Sequence, residues 1–169
     1  MISYTSFTRF IDTPIGKILL ESDGNSLTGL YFSSHLTQRS RFQARPQMSV
    51  PESCNLLFDQ AQGQIEEYFR GERSSFDIAI SAQGTEFQKK VWSELAKIPF
   101  GATISYKELA IRVGNPKASR AVGMANSKNP ISLIVPCHRV IGEKGALTGY
   151  AGGLPSKEYL LKLEGARNN

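Results

Sequence analysis

A change of hydrophobic period part-way along the chain constrains the fold more than any other feature. The first half runs in strand-like alternation over Ile2–Ile11, Lys17–Ser22 and Leu27–Phe32, with turn signals at Pro14-Ile15-Gly16 and Asp23-Gly24 between them. From Thr85 onward the alternation stops and apolar residues recur at helical spacing. Strands gathered in one half and helices in the other predict an α+β fold, with a small antiparallel sheet first and a helical unit second. The break falls at Ser81–Gly84, dividing the chain into units of residues 1–84 and 85–169.

Within the first unit, Ser33–Pro51 is polar, rich in Arg and Gln, and reads as an irregular connection. Asn55–Arg70 carries Leu57, Ala61, Ile65 and Phe69 and stops at Gly71, the pattern of an amphipathic helix, and Phe76–Ile80 reads as a last strand. In the second unit, Thr85 and Gln88 have capping-box spacing ahead of Phe87, Val91 and Leu95, Trp92 falls in the core, and Pro99 stops the helix. Ser105 and Glu108 repeat the box at the head of a helix through Leu109 and Val113 that ends at Gly114. Asn115-Pro116 then offers an N-cap and a first-turn proline for a helix over Lys117–Asn126.

Two helices joined by a short turn containing Gly make a helix-turn-helix. The second is small-sided, with Ser119, Ala121 and Gly123, and so admits close approach of either a protein core or a nucleic-acid groove. Arg120 is a long cation among residues too small to cover it.

Charge sharpens this. Gly101–Ile141 holds Lys107, Arg112, Lys117, Arg120, Lys128 and Arg139 against the single acid Glu108, so it accounts for the whole formal charge of +5. A polyanionic partner or an ordinary solvated face both fit that excess. At 169 residues, 40% hydrophobic and 21% charged, the chain suits one compact body or two small subdomains. No stretch approaches the ~18 apolar residues of a membrane span, and Met1–Asp12 lacks a signal-peptide core, so a cytoplasmic protein is expected. Only Cys54 and Cys137 are present, and with His35 and His138 they form no metal-ligand cluster, so a reduced compartment and no metal are expected.

The chemistry concentrates in Ile134-Val135-Pro136-Cys137-His138-Arg139-Val140-Ile141, which sets a thiol, an imidazole and a guanidinium inside an apolar run. A thiolate is the strongest nucleophile among ordinary side chains, and a neighbouring His or Arg lowers the thiol pKa from its reference near ~8.5. A cysteine buried as a small hydrophobe is the other reading these residues allow.

Ser105-Tyr106, Gly114-Asn115-Pro116, Ser119-Arg120-Ala121-Val122-Gly123, Asn129-Pro130, Pro136-Cys137-His138-Arg139 and Tyr150-Ala151-Gly152-Gly153 follow one another in order. With them the chain resembles the O6-alkylguanine-DNA alkyltransferases. The resemblance is strong over Thr85–Gly165, while the first half matches in its element order, which in that family is ribonuclease H-like.

The resemblance implies direct-reversal repair of double-stranded DNA. O6-alkylguanine, and O4-alkylthymine with it, is flipped from the duplex and its alkyl group passes irreversibly to Cys137, with no cofactor. His138 would act as base through a water and Glu164 would hold His138. Tyr106 would crowd the 3′ phosphate and offer its phenol to the departing base, while Arg120 fills the gap from a helix laid in the minor groove, with Ser119, Ala121 and Gly123 beside it. Asn129 would be the hinge between that helix and the cysteine loop. The carbonyls of Cys137 and Val140, the ring of Tyr150 and the amide of Ala151 would hold the base.

Asn126 and Ser132 stand where mammalian relatives carry methionine and proline near the alkyl pocket, which predicts weaker reaction with free O6-benzylguanine. Binding would be sequence-independent, salt-sensitive and by a monomer, with cooperativity on DNA left open. The competing readings are a non-catalytic lesion binder, against which Cys137 argues, and a helix-turn-helix regulator, which has no need of Cys137-His138.

Overall fold

The computed structural model describes residues 6–33 and 49–167. Strands β1 (Phe7–Thr13), β2 (Gly16–Ser22) and β3 (Leu27–Phe32) form an antiparallel sheet in the order β1-β2-β3. The predicted turns are those that join them. Thr13 pairs with Gly16 across the first, with Gly16 in the left-handed region, and the Asp23 carboxylate accepts the amides of Asn25 and Ser26 in the second. Expectations for Ile2–Thr5 and for most of Ser33–Pro51 lie outside the described residues.

Helix α1 (Glu52–Phe69) packs against β1 and buries Leu57, Phe58, Ala61, Ile65 and Tyr68. Here the structure corrects the four-residue stripe: Phe69 is half-buried and Tyr68 takes the core position. A strict spacing of four drifts ~40° per step on a helix of 3.6 residues per turn, so by the fourth residue the inward face has moved back by one.

Phe76–Ile80 is not a strand of the sheet. It makes a single bridge, Leu27 with Ile80, because the Asp77 amide and carbonyl are taken by side chains of α1, Gln64 Oε1 at 2.8 Å and Gln60 Nε2 at 2.7 Å.

Helix α2 (Glu86–Ala96) begins at the predicted reciprocal capping box of Thr85 and Gln88. Val91, Trp92 and Leu95 are buried, whereas Phe87, in the first turn, lies beyond the edge of the core and is 37% exposed. The Trp92 indole lies on Gly84, where a Cβ would stand 2.5 Å from the ring, and donates to the Ala125 carbonyl at 2.8 Å.

Strand β4 (Ile104–Ser105) leads directly into α3 (Tyr106–Arg112), with the Ser105 hydroxyl accepting the Glu108 amide as N-cap. Helix α4 spans Ser119–Ser127, starting two residues later than expected. Asn115-Pro116 closes a turn instead, the Ala118 amide donating to the Asn115 carbonyl while the Asn115 amide is held by Ala110, so the link between the two helices is longer than the short turn predicted.

Strand β5 (Val140–Ile141) follows a single turn of 3-10 helix, Cys137–Arg139, and pairs in parallel with β4. Helix α5 (Leu154–Leu163) completes the second half. One hydrophobic cluster runs through both halves, and the Leu30 amide of β3 donates to the Pro130 carbonyl beside the cysteine loop.

Candidate active site

The segment from Asn129 to Pro136 is a tight loop held by its own hydrogen bonds. The Asn129 amide group donates to the Val135 carbonyl at 2.8 Å and its Oδ1 accepts the Ile131 amide at 3.1 Å, so one side chain ties both ends of the loop. Leu133, at its apex, is buried with φ of +74°, a left-handed backbone that costs an L-residue about 1–2 kcal/mol. The loop delivers Cys137 into the interior, 2% exposed, with Sγ 3.7 Å from the Ser132 hydroxyl. Burial pushes the thiol above its ordinary pKa, opposed by hydrogen bonds from Asn129 and Ser132 and by the positive charge of Lys157.

His138 and Arg139 are both buried and both turn to Glu164, the C-cap of α5. His138 Nε2 lies 2.8 Å from Glu164 Oε1. Arg139 engages the same carboxylate with Nε on Oε2 and Nη2 on Oε1, each at 2.9 Å, and donates through Nη1 to the Ile98 carbonyl at 2.6 Å. Tyr68 of α1 donates its phenol to Glu164 Oε1 at 2.6 Å. The Gly101 amide approaches Oε2 at 3.4 Å, at a position where a Cβ would stand 2.9 Å from the Glu164 carbonyl.

Burial alone would raise the Glu164 pKa, but the hydrogen bonds from His138, Arg139 and Tyr68 hold it at about 2. Glu164 is therefore a carboxylate. Burial pushes the His138 pKa down, against the pull of Glu164, which favours the neutral imidazole. With Nε2 carrying the hydrogen donated to Glu164, Nδ1 is the free base, and it has no hydrogen-bond partner among the described residues. A thiol, a free imidazole nitrogen and an orienting carboxylate are the parts of an activated sulfur nucleophile.

The remaining predicted residues divide by location. Val140, Tyr150, Asn126 and Ser132 surround the cysteine. The Asn126 amide group points at the Cys137 carbonyl at 3.4 Å, and Tyr150 stacks edge-on to His138 and against Phe32 of the first half, its hydroxyl buried without a protein partner among the described residues. Ala151 is half-buried beside Tyr150. Tyr106, half-buried at the head of α3, lies against Gly123 of α4 and accepts a hydrogen bond from the Thr148 hydroxyl at 3.2 Å. On α4, Arg120 and Ala121 are exposed and Ser119 is half-buried, and Met124 adds an apolar side chain 61% exposed on the same helix. Of the six basic residues in Gly101–Ile141, Arg139 is engaged internally and the other five face solvent.

Three participants escape a reading of the sequence: Tyr68, Arg139 as a partner of Glu164, and Lys157. Lys157 is fully buried on α5 and donates to the carbonyls of Val140 at 2.6 Å and Thr148 at 2.8 Å. The one signal for it is position: Lys157 and Glu164 lie seven residues, two turns, apart on a helix whose inward stripe also holds Leu160 and Leu161.

Two family models match the chain: the ribonuclease-like domain of 6-O-methylguanine DNA methyltransferase over residues 6–82, and the DNA binding domain of the same over 86–166. The methylated-DNA--protein-cysteine methyltransferase of Methanosarcina acetivorans is 50% identical over 163 residues, covering 95% of this chain and 99% of its own. That of Mycobacterium tuberculosis is 45% identical over 159 residues, covering 94% and 92%. Among solved structures, Mycobacterium tuberculosis O6-methylguanine methyltransferase superposes with a TM-score of 0.82 at 44% identity over 98% of this chain and 96% of its own. Mycobacterium tuberculosis OGT in complex with DNA gives 0.81 at 46% identity, covering 94% and 92%.

Proposed function

The chain belongs to the methylated-DNA--protein-cysteine methyltransferase family, and from that membership we propose that Cys137 is the alkyl acceptor of a single-turnover repair reaction. The activity is DNA repair by transfer of an alkyl group to a protein cysteine. The observation that carries the assignment to Cys137 is its burial beside His138, whose Nε2 is taken by Glu164 and whose Nδ1 has no partner among the described residues.

In the reaction the Cys137 proton passes through a water to His138 Nδ1. Sγ then attacks the sp3 carbon as the bond to O6 breaks, and the departing guanine takes a proton from the Tyr106 phenol, which recovers one from the imidazolium. The resulting thioether is inert to water, so each molecule acts once. The carbonyls of Cys137 and Val140, the latter also accepting from Lys157, take the guanine amino group, while Tyr150 walls the pocket and the Ala151 amide faces O6.

Arg120, exposed near the start of α4, enters the stack in place of the flipped base, with Ser119, Ala121 and Gly123 lying in the minor groove and Asn129 hinging that helix to the cysteine loop. The same site takes O4-alkylthymine. Binding is sequence-independent and weakens with salt, the protein acts as a monomer in the cytoplasm without a cofactor, and the chain divides into units 1–84 and 85–169. The two matched segments support that division, and among the described residues no helix is long and apolar enough to cross a membrane.

The test is the intact mass of the protein after mixing with a duplex containing one O6-methylguanine. A stoichiometric gain of one methylene, mapped to the Cys137 peptide and absent in Cys137→Ala, is expected. No gain, with lesion binding kept, would leave a non-catalytic lesion binder.

A further inference from the structure

We propose that Tyr68, in the first half of the chain, is a positioning residue for alkyl transfer: its phenol fixes how much of the Glu164 charge is available to His138. The inference deepens the reading of Cys137, His138 and Glu164 given above and rests on it for the chemistry. Three donors converge on one oxygen, Glu164 Oε1: Tyr68 Oη at 2.6 Å, His138 Nε2 at 2.8 Å and Arg139 Nη2 at 2.9 Å. An oxygen with that many donors shares its charge, and the shortest of the three comes from α1, 96 residues away in the chain.

Tyr68 is fully buried, its ring packed on Phe69, Phe76 and Phe100, so the hydroxyl cannot turn away without moving the core between the halves. Burial and the adjacent carboxylate raise its pKa above the ordinary range, which keeps it a donor throughout the working pH.

The consequence for His138 has a definite sign. A more basic carboxylate would favour the imidazolium, whose Nδ1 carries a hydrogen and cannot take the Cys137 proton. The Tyr68 hydrogen bond moderates that basicity. The charged and titratable groups around His138 are Glu164 and Lys157 on α5, Arg139 and Cys137 on its own segment, Tyr150 from the following loop, and Tyr68 from α1. Of these, Tyr68 is a neutral donor whose hydroxyl Tyr68→Phe removes while keeping the ring.

Two readouts test it on the full chain. The first is the Nε2-bound proton resonance of His138 by nitrogen-edited NMR, read without DNA and assigned against His35. The second is the single-turnover rate on a duplex containing O6-methylguanine, measured against pH. In Tyr68→Phe the His138 resonance is expected to move downfield, and the acid limb of the rate profile to move up by about one unit, tenfold in rate below the limb. Phe76→Leu, which loosens the same packing but keeps the hydroxyl, is expected to lower the melting temperature and move neither readout. A folded Tyr68→Phe protein with the wild-type resonance, or with an upfield one, overturns the proposal. The NMR arm decides it even if neither protein transfers an alkyl group, an outcome that would instead sink the reading of Cys137.

Discussion

Replacing Lys157 with Met in a Cys137→Ala background isolates the cost of burying an ammonium beside the cysteine loop. Burial depresses the Lys157 pKa from 10.5 to about 8, because the side chain has left water for a site whose ligands are two carbonyls. Between those two values the unfolded chain binds more protons at this position than the folded chain does, so the contribution of Lys157 to stability rises with pH across that window. Deprotonation leaves an amine with two N–H donors, enough to keep both carbonyls satisfied. Linkage over the window predicts that the stability of the protein retaining Lys157, minus that of the Lys157→Met protein, grows by about 2 kcal/mol between about pH 7.5 and about pH 9.5. Urea unfolding of both proteins at the two pH values measures it, and removing Cys137 keeps the neighbouring thiol out of the titration. A difference that stays flat or shrinks as pH rises would show that the ammonium is not desolvated as its burial implies.

Gly101→Ala places a Cβ 2.9 Å from the Glu164 carbonyl at a residue with φ of +78°, and a loss of about 1–3 kcal/mol is expected by thermal or urea unfolding. Arg120→Ala is expected to slow repair of O6-methylguanine in a duplex by about tenfold, since nothing then fills the stack, while leaving reaction with the free alkylated base near the wild-type rate; equal losses on both substrates would argue against insertion. Asn126→Met combined with Ser132→Pro is expected to raise the rate of inactivation by free O6-benzylguanine roughly tenfold, the worth of ~1.4 kcal/mol of added apolar contact, and an unchanged rate would refute the role given to Asn126 and Ser132.

What the sequence makes legible here is what local chemistry decides. The two hairpins follow from turn residues beside alternating strands, the start of α2 from the reciprocal box of Thr85 and Gln88, and the burial of the cysteine segment from a thiol and an imidazole adjacent in an apolar run. The misreadings have more than one cause. Phe76–Ile80 has strand composition, but Gln60 and Gln64 capture its backbone groups. The Asn115-Pro116 pair is good helix-start chemistry that the chain uses for a turn. Glu164 is legible through resemblance alone, and its full set of partners, Tyr68, His138 and Arg139, joins residues from α1, the cysteine segment and the end of α5 that no local pattern links.

The bonds that cross between the halves have a consequence for exchange of parts. Tyr68 reaches Glu164, Leu30 holds Pro130, and Phe32 lies against Tyr150, so the first half touches the carboxylate bonded to His138, the loop that leads to Cys137 and the ring beside His138 at once. A chimera joining the first half of one relative to the second half of another therefore inherits a working reactive loop only when all three junctions match. Drift at any of these first-half positions is felt at the cysteine, which makes the two halves one unit of inheritance despite their different architectures.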